Sequence, residues 1–236
     1  EGFTAIVHGK YRHEETRATV SQALHAPSGR NGHYIVVLDR DEASFVCNYI
    51  RSGGDRTELL ARFEHAISSG FEPDRDLQRV GCANQTTMLS SESLEIGDMF
   101  RSAIRDRFGE EALPHHFRAF DTICSATQDR QDAVLALLAE HSLDLLVVIG
   151  GLNSSNTCNL ARICFDKVPT YHIADPDGLI SADTIRHKAV GSPSEIATRD
   201  WLPSGDVTIG VTSGASTPDN LVGATIDRLS LLANGA

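Results

Sequence analysis

The stretch "LDLLVVIGGLNSSN", residues 143–156, limits the fold more than any other part of the chain. Leu145 to Ile149 is unbroken apolar sequence and reads as a buried β-strand. Two glycines end it, and Asn153, Ser154, Ser155 and Asn156 follow as a row of small polar side chains. A strand that leaves the core this way either caps a helix or seats an anion. The same rhythm of short apolar run and helical stretch recurs along the chain. "FTAIVHG" (3–9), "HYIVVL" (33–38), "RVGCANQ" (79–85), "FRAFDTI" (117–123), "VPTYHIA" (168–174) and "DVTIGVT" (206–212) read as strands. Helical patterns lie over 41–50, 56–67, 128–141, 154–166 and 218–233, with a longer one from Ser90 that Gly109 stops. Strands separated by helices of this length predict an α/β fold of two similar lobes, each a mostly parallel sheet flanked by helices. "EEALPHHF" interrupts the pattern, so the lobes are expected over 1–115 and 116–236.

Charge and cysteine content narrow the partners. The net charge of −11 disfavours nucleic acid and anionic membrane surfaces, which require clustered Lys and Arg. An anionic ligand would therefore be held by hydroxyls and helix dipoles, in a cradle without lysines. Five cysteines, with no CxxC pair, argue against a secreted disulfide framework and for a reducing compartment. No run is long and apolar enough for a membrane span, and no signal-peptide pattern opens the chain. The chain begins at Glu1 rather than at a methionine, which leads us to expect residues upstream.

In parallel sheets, ligands bind where strand carboxyl ends meet helix N-termini. The loops there are "HGKYRHEET", "NQTTML", "CSATQDRQ", "GGLNSSN" and "SGASTPDN". Any one of the Ser-, Thr- and Asn-rich openings is explained by N-capping alone, and Pro218 suits the first turn of a helix. Three in one chain favour an anion site. None matches a Walker or dinucleotide fingerprint, which weakens a nucleotide-dependent reading. Cys124 sits between a strand and a helix start, a position that exposes sulfur and favours the thiolate. Cys47 and Cys164 read as packing, and neither Cys82 nor Cys158 has zinc-like spacing. "HGKYRHEET" places His8, His13, Glu14 and Glu15 after a strand; it is not HExxH, but a His beside a carboxylate suits anion binding with proton delivery.

Taken in order, "HGKYRHEETRAT", "NQTTML", "DTICSATQDRQ", "GGLNSSN" and "GVTSGASTPDNLV" resemble the 4-hydroxy-3-methylbut-2-enyl diphosphate reductases, the IspH or LytB type. The wording "ANQTTML" and the long segment before it are similar to the cyanobacterial and plant-plastid branch. The resemblance implies a three-lobed α/β fold, of which this chain would carry the second and third lobes. It implies a [4Fe–4S] cluster on three cysteines, with Cys124 matching the last. It also implies that His13 contacts the substrate diphosphate, Glu15 delivers protons and Thr86 stands near the substrate hydroxyl. Ser154, Ser155, Asn156 and Ser216 would form the diphosphate seat. The implied reaction is reductive dehydroxylation of an allylic diphosphate to isopentenyl and dimethylallyl diphosphates. A ferredoxin or flavodoxin would donate electrons, in a bacterial cytoplasm or a plastid stroma. The family's other two cluster cysteines lie upstream of the "HGKY" motif, outside this chain, so the chain alone is expected to hold no stable cluster and to be inactive. The alternative is a cofactor-free phosphate-binding module.

Overall fold

The computed structural model describes residues 2–24, 32–120 and 122–234. They form two compact units, Glu1–Cys124 and Ser125–Ala236.

In the first unit the order is β1 (Thr4–His8), α1 (Glu14–Leu24), β2 (Tyr34–Val37), α2 (Arg40–Ser52), α3 (Arg56–Arg62), α4 (Pro73–Asp76), β3 (Val80–Asn84), α5 (Ser90–Phe108), α6 (Leu113–His116) and β4 (Phe117–Ala119). The four strands are parallel, in the order β2-β1-β3-β4. Helix α2 starts where the Asp39 side chain accepts the Glu42 N–H, satisfying one of the unpaired amides of a helix start. Its Ala43, Val46, Cys47 and Ile50 form a stripe that packs with Ile96, Phe100, Ala103 and Ile104 of α5 over the sheet.

Two expectations are corrected here. The helix expected over 56–67 stops at Arg62, because Ala66 to Ser68 are drawn against β2. The Val36 N–H donates to the Ala66 carbonyl at 2.8 Å, and the Ser68 N–H to that of Tyr34 at 3.1 Å. Sheet hydrogen bonds override helical periodicity there. The lobe boundary expected between 115 and 116 lies instead between Cys124 and Ser125. Phe117 pairs in register with Val80 and is buried with Leu113 and Phe100, so the strand assigned to the second lobe completes the first sheet. Pro114 marks a single helical turn rather than a linker.

The second unit runs α7 (Ser125–Glu140), β5 (Leu145–Ile149), α8 (Ser155–Phe165), β6 (Thr170–Ile173), β7 (Thr184–Lys188), β8 (Glu195–Arg199), β9 (Ile209–Ser213) and α9 (Asp219–Asn234). The sheet order is β8-β7-β6-β5-β9, with β6 and β9 parallel to the central β5. Alternation along β5 explains its unbroken apolar sequence. Leu146 and Val148 pack with Val134 of α7 and Leu160 and Cys164 of α8. Leu145, Val147 and Ile149 face Trp201 and Leu229. With both faces covered, every residue of β5 is apolar. Strands β7 and β8 add an antiparallel hairpin beyond β6 that the sequence reading did not contain. Its "TIRHK" and "EIATR" are mostly polar, and β8 is largely exposed, so neither carries an apolar run.

Candidate functional site

In the first unit, β1 and β3 are neighbours, so the loops after His8 and Asn84 emerge side by side. Gln85, fully buried, ties them together. Its Oε1 accepts from the Lys10 N–H and from the Thr16 hydroxyl, each at 3.0 Å. Its Nε2 donates to the Thr87 Oγ1 at 2.8 Å, and that hydroxyl donates onward to Glu15 Oε2 at 2.9 Å. Glu15 lies in the first turn of α1, where the helix dipole favours a carboxylate. His13 Nδ1 accepts the Glu15 N–H at 3.3 Å and stands 4.0 Å from its carboxylate, and both side chains are half-buried. The Thr86 carbonyl accepts the Cys124 N–H at 3.3 Å. Thr122 braces this corner, its hydroxyl accepting from the Asn84 N–H (2.7 Å) and donating to the Asn84 carbonyl (2.6 Å). Cys124 is exposed. His8 turns into the core, with Nδ1 at 2.8 Å from the Ser93 hydroxyl.

Among the sequence candidates, then, His13 and Glu15 form one hydrogen-bonded cluster, and Thr86 and Cys124 a second contact. The residues that hold Glu15, namely Gln85 and Thr87, were not singled out. Both lie inside "NQTTML", but which of two adjacent threonines faces Glu15 depends on how the turn leaves β3.

In the second unit the sequence candidates gather around the start of α8. Ser154 caps the helix, its Oγ accepting the Thr157 N–H at 3.4 Å. Ser155 is 6% exposed, Asn156 4% and Thr157 0%. Their side-chain polar atoms, Ser155 Oγ, Asn156 Oδ1 and Nδ2 and Thr157 Oγ1, have no hydrogen-bond partner among the described residues. Buried polar groups left this way each cost about 1–3 kcal/mol, so they mark a place where partners are supplied from outside. Two glycines let the backbone close on this point. Gly150 has φ of 141°, and a Cβ there would lie 2.5 Å from Thr217 Oγ1. A Cβ on Gly214 would lie 2.2 Å from Thr157 Oγ1. The "GGLNSSN" and "SGAST" loops thus meet at Thr157. The Thr217 hydroxyl donates to the Ile149 carbonyl at 3.1 Å, fixing the second loop beside the first. Ser216 is exposed on that loop.

Behind the first turn stand two residues that no motif contained. His172, 2% exposed, has Nε2 at 3.0 Å from the Gly150 carbonyl. Burial, joined by the neighbouring Lys188 charge, lowers its pKa, so it is a neutral imidazole whose Nε2–H donates. Lys188 Nζ donates to the Leu152 carbonyl at 2.7 Å and to Asn153 Oδ1 at 3.4 Å. Lys188, from the unforeseen β7, reaches the turn but donates to the turn's own oxygens.

A family profile described as LytB protein matches residues 1–230. The chain belongs to the LytB family. Curated relatives named 4-hydroxy-3-methylbut-2-enyl diphosphate reductase include one from Gloeobacter violaceus, 52% identical over 96% of this chain and 52% of its own length. Another, from Cyanothece sp., is 48% identical over 98% of this chain and 55% of its own. This LytB chain therefore spans about half the length of the curated relatives it matches. Its fold is shared with the E-1-hydroxy-2-methyl-but-2-enyl-4-diphosphate reductase from Plasmodium falciparum, at a TM-score of 0.57 and 18% identity, over 97% of this chain and 53% of that one.

LytB proteins are in general iron–sulfur proteins, so the cysteines bear testing against a cluster. Cys47, Cys82 and Cys164 are buried packing thiols. Burial pushes Cys47 and Cys164 up to about 12 and raises Cys82 as well, which keeps all three protonated. Cys158 is half-buried, with its sulfur bonded to the Leu152 carbonyl at 3.4 Å. Only Cys124 is exposed, and among the described residues no group of three or more His, Cys, Asp or Glu is placed to hold a metal ion. A single thiolate does not fit a four-iron cluster. No helix among the described residues is long and apolar enough to cross a membrane.

Proposed function

We propose that this chain carries the diphosphate seat and the proton-delivering acid of a 4-hydroxy-3-methylbut-2-enyl diphosphate reductase. The observation that carries the reading is the run Ser155, Asn156 and Thr157, buried with unpartnered polar atoms at a helix N-terminus. Small hydroxyls and an amide, backed by the helix dipole, suit phosphate oxygens in an acidic protein. Ser154, Ser155, Asn156 and Ser216 hold the diphosphate, and His13 adds a contact to it. Glu15 is the general acid for the departing hydroxyl, which leaves as water. Its carboxylate is aimed by the Thr87 hydroxyl, so that a proton can be passed from a fixed position. Thr86 stands near the substrate hydroxyl. Removing the hydroxyl as water takes two electrons and two protons, one to the leaving oxygen and one to an allylic carbon; a [4Fe–4S] cluster of the whole protein would supply the electrons, received from a ferredoxin or flavodoxin. Cys124 offers one thiolate to such a cluster, and the other cysteines of this chain do not complete it.

Titrating the chain with isopentenyl diphosphate tests the seat. We expect amide shifts in the first turn of α8 and in residues 150–154, and at least tenfold weaker binding by Asn156→Ala. Perturbations elsewhere, or an Asn156→Ala chain that binds as well as wild type, refute the reading. A second reading, a diphosphate-binding module without chemistry, is favoured by the single exposed cysteine. Reconstitution of the whole protein with iron and sulfide separates the two: a whole protein that binds the diphosphate yet forms no brown chromophore supports the module.

A further inference from the structure

Strand β7 was absent from the sequence reading, yet its last residue touches the seat. β6 and β7 run antiparallel, and their register sets His172 directly opposite Lys188. Residues so paired put their side chains on the same face of the sheet. From there each takes one carbonyl of the turn that opens the seat: His172 that of Gly150, Lys188 that of Leu152.

Both peptides following these carbonyls are trans, since there is no cis peptide bond among the described residues. In a trans peptide the N–H points opposite its own C=O. Fixing the Gly150 and Leu152 carbonyls therefore turns the Gly151 and Asn153 N–H groups away from the two side chains. Among the described residues neither N–H donates a hydrogen bond. They lie four and two positions before Ser155, whose buried polar group, like that of Asn156, has no hydrogen-bond partner among the described residues. Backbone N–H groups gathered in a turn can form anion-binding concavities.

We propose that His172 and Lys188 are positioning residues for the seat, holding the Gly150 and Leu152 carbonyls so that the Gly151 and Asn153 N–H groups receive phosphate oxygens. This rests on the diphosphate reading above and adds to it two donors and the residues that aim them. His172 acts as a neutral donor, and Lys188 as a cation already engaged with the turn's oxygens. Neither touches the ligand. Gly150 is required because the carbonyl reaches His172 only from a backbone conformation that other residues rarely adopt.

Inorganic pyrophosphate is the probe, titrated into the full chain while the Gly151 and Asn153 amides are followed by NMR. His172→Leu keeps the volume and removes the donor; His172→Gln restores a donor at similar reach. Lys188→Met and Lys188→Arg do the same for the second strap. We expect about tenfold weaker binding for His172→Leu and Lys188→Met, with broadened Gly151 and Asn153 resonances and an unchanged urea midpoint for Lys188→Met. Gln and Arg should recover most of the affinity, which a role in packing alone would not produce. Wild type that binds pyrophosphate alongside His172→Leu and Lys188→Met chains that bind within twofold of it overturns the proposal and leaves the seat standing. Wild type that binds no pyrophosphate overturns the seat reading and this proposal with it.

Discussion

The two units treat their functional polar groups in opposite ways. Around Glu15 the first unit leaves little to chance: Gln85, Thr87, Thr16 and the Lys10 amide close a hydrogen-bonded chain that fixes the carboxylate. Around Asn156 the second unit buries polar atoms that have no hydrogen-bond partner among the described residues. A group that must deliver a proton from one position gains from a complete network. A group that must bind gains from the reverse, because any partner from inside the protein would have to be displaced by the ligand. The proposed acid is preorganised through its side-chain partners, whereas the proposed seat is preorganised through its backbone, with Gly150 and Gly214 packed against Thr157 and Thr217.

The largest effect expected from this contrast is in the first unit. Gln85→Leu strips partners from the Lys10 amide and from the Thr16 and Thr87 hydroxyls, and should destabilise that unit by about 2–5 kcal/mol, read as a shift in its urea midpoint. Gly214→Ala comes next. The added methyl meets Thr157 Oγ1, so we expect about 1–3 kcal/mol of destabilisation, together with loss of pyrophosphate binding in a calorimetric titration.

Acid should separate the units as well. His172 and His187 have pKa values lowered chiefly by burial, so both are neutral when folded and bind protons more readily when unfolded. Their contribution is complete above the ordinary histidine value of 6.5 and is lost as pH falls below it toward the lowered folded values. Trp201, the chain's one tryptophan, is buried in the second unit and reports its unfolding by fluorescence. The midpoint seen by Trp201 should drop between about pH 7.5 and 5.5, and the combined replacement of both histidines should flatten that drop. The smallest effect sharpens the comparison most. Thr157→Val removes a buried hydroxyl that has no partner among the described residues, so it should be neutral or stabilise by up to about 1 kcal/mol while weakening pyrophosphate binding. Should it cost as much as Gln85→Leu, the contrast between the units is false.

Much of this was legible from local pattern. The helix over 154–166 appears as α8 at Ser155–Phe165, and the strand over 79–85 as β3 at Val80–Asn84. Gly109 ends α5 with φ of 86°, as its place in the sequence implied. The failures share one cause. Ile67 left its helix to bridge Ile35, and Phe117 joined the first sheet, in both cases because a distant strand offered hydrogen bonds that local periodicity does not encode. The candidate residues His13, Glu15 and Ser154 to Asn156 were legible because each sits in a contiguous motif at a strand's end.

The amino-acid order by itself determined the alternation of elements, the complete burial of β5 and the loops that carry polar chemistry. Those properties depend on side-chain periodicity and on residues a few positions apart. Tertiary structure alone decided that Thr87, 72 positions away, holds Glu15, and that Lys188, 36 positions away, grips Leu152. Such pairings follow from which strands lie side by side and in what register. Register is set by the packing of whole sheets, so no short stretch of this chain contains it.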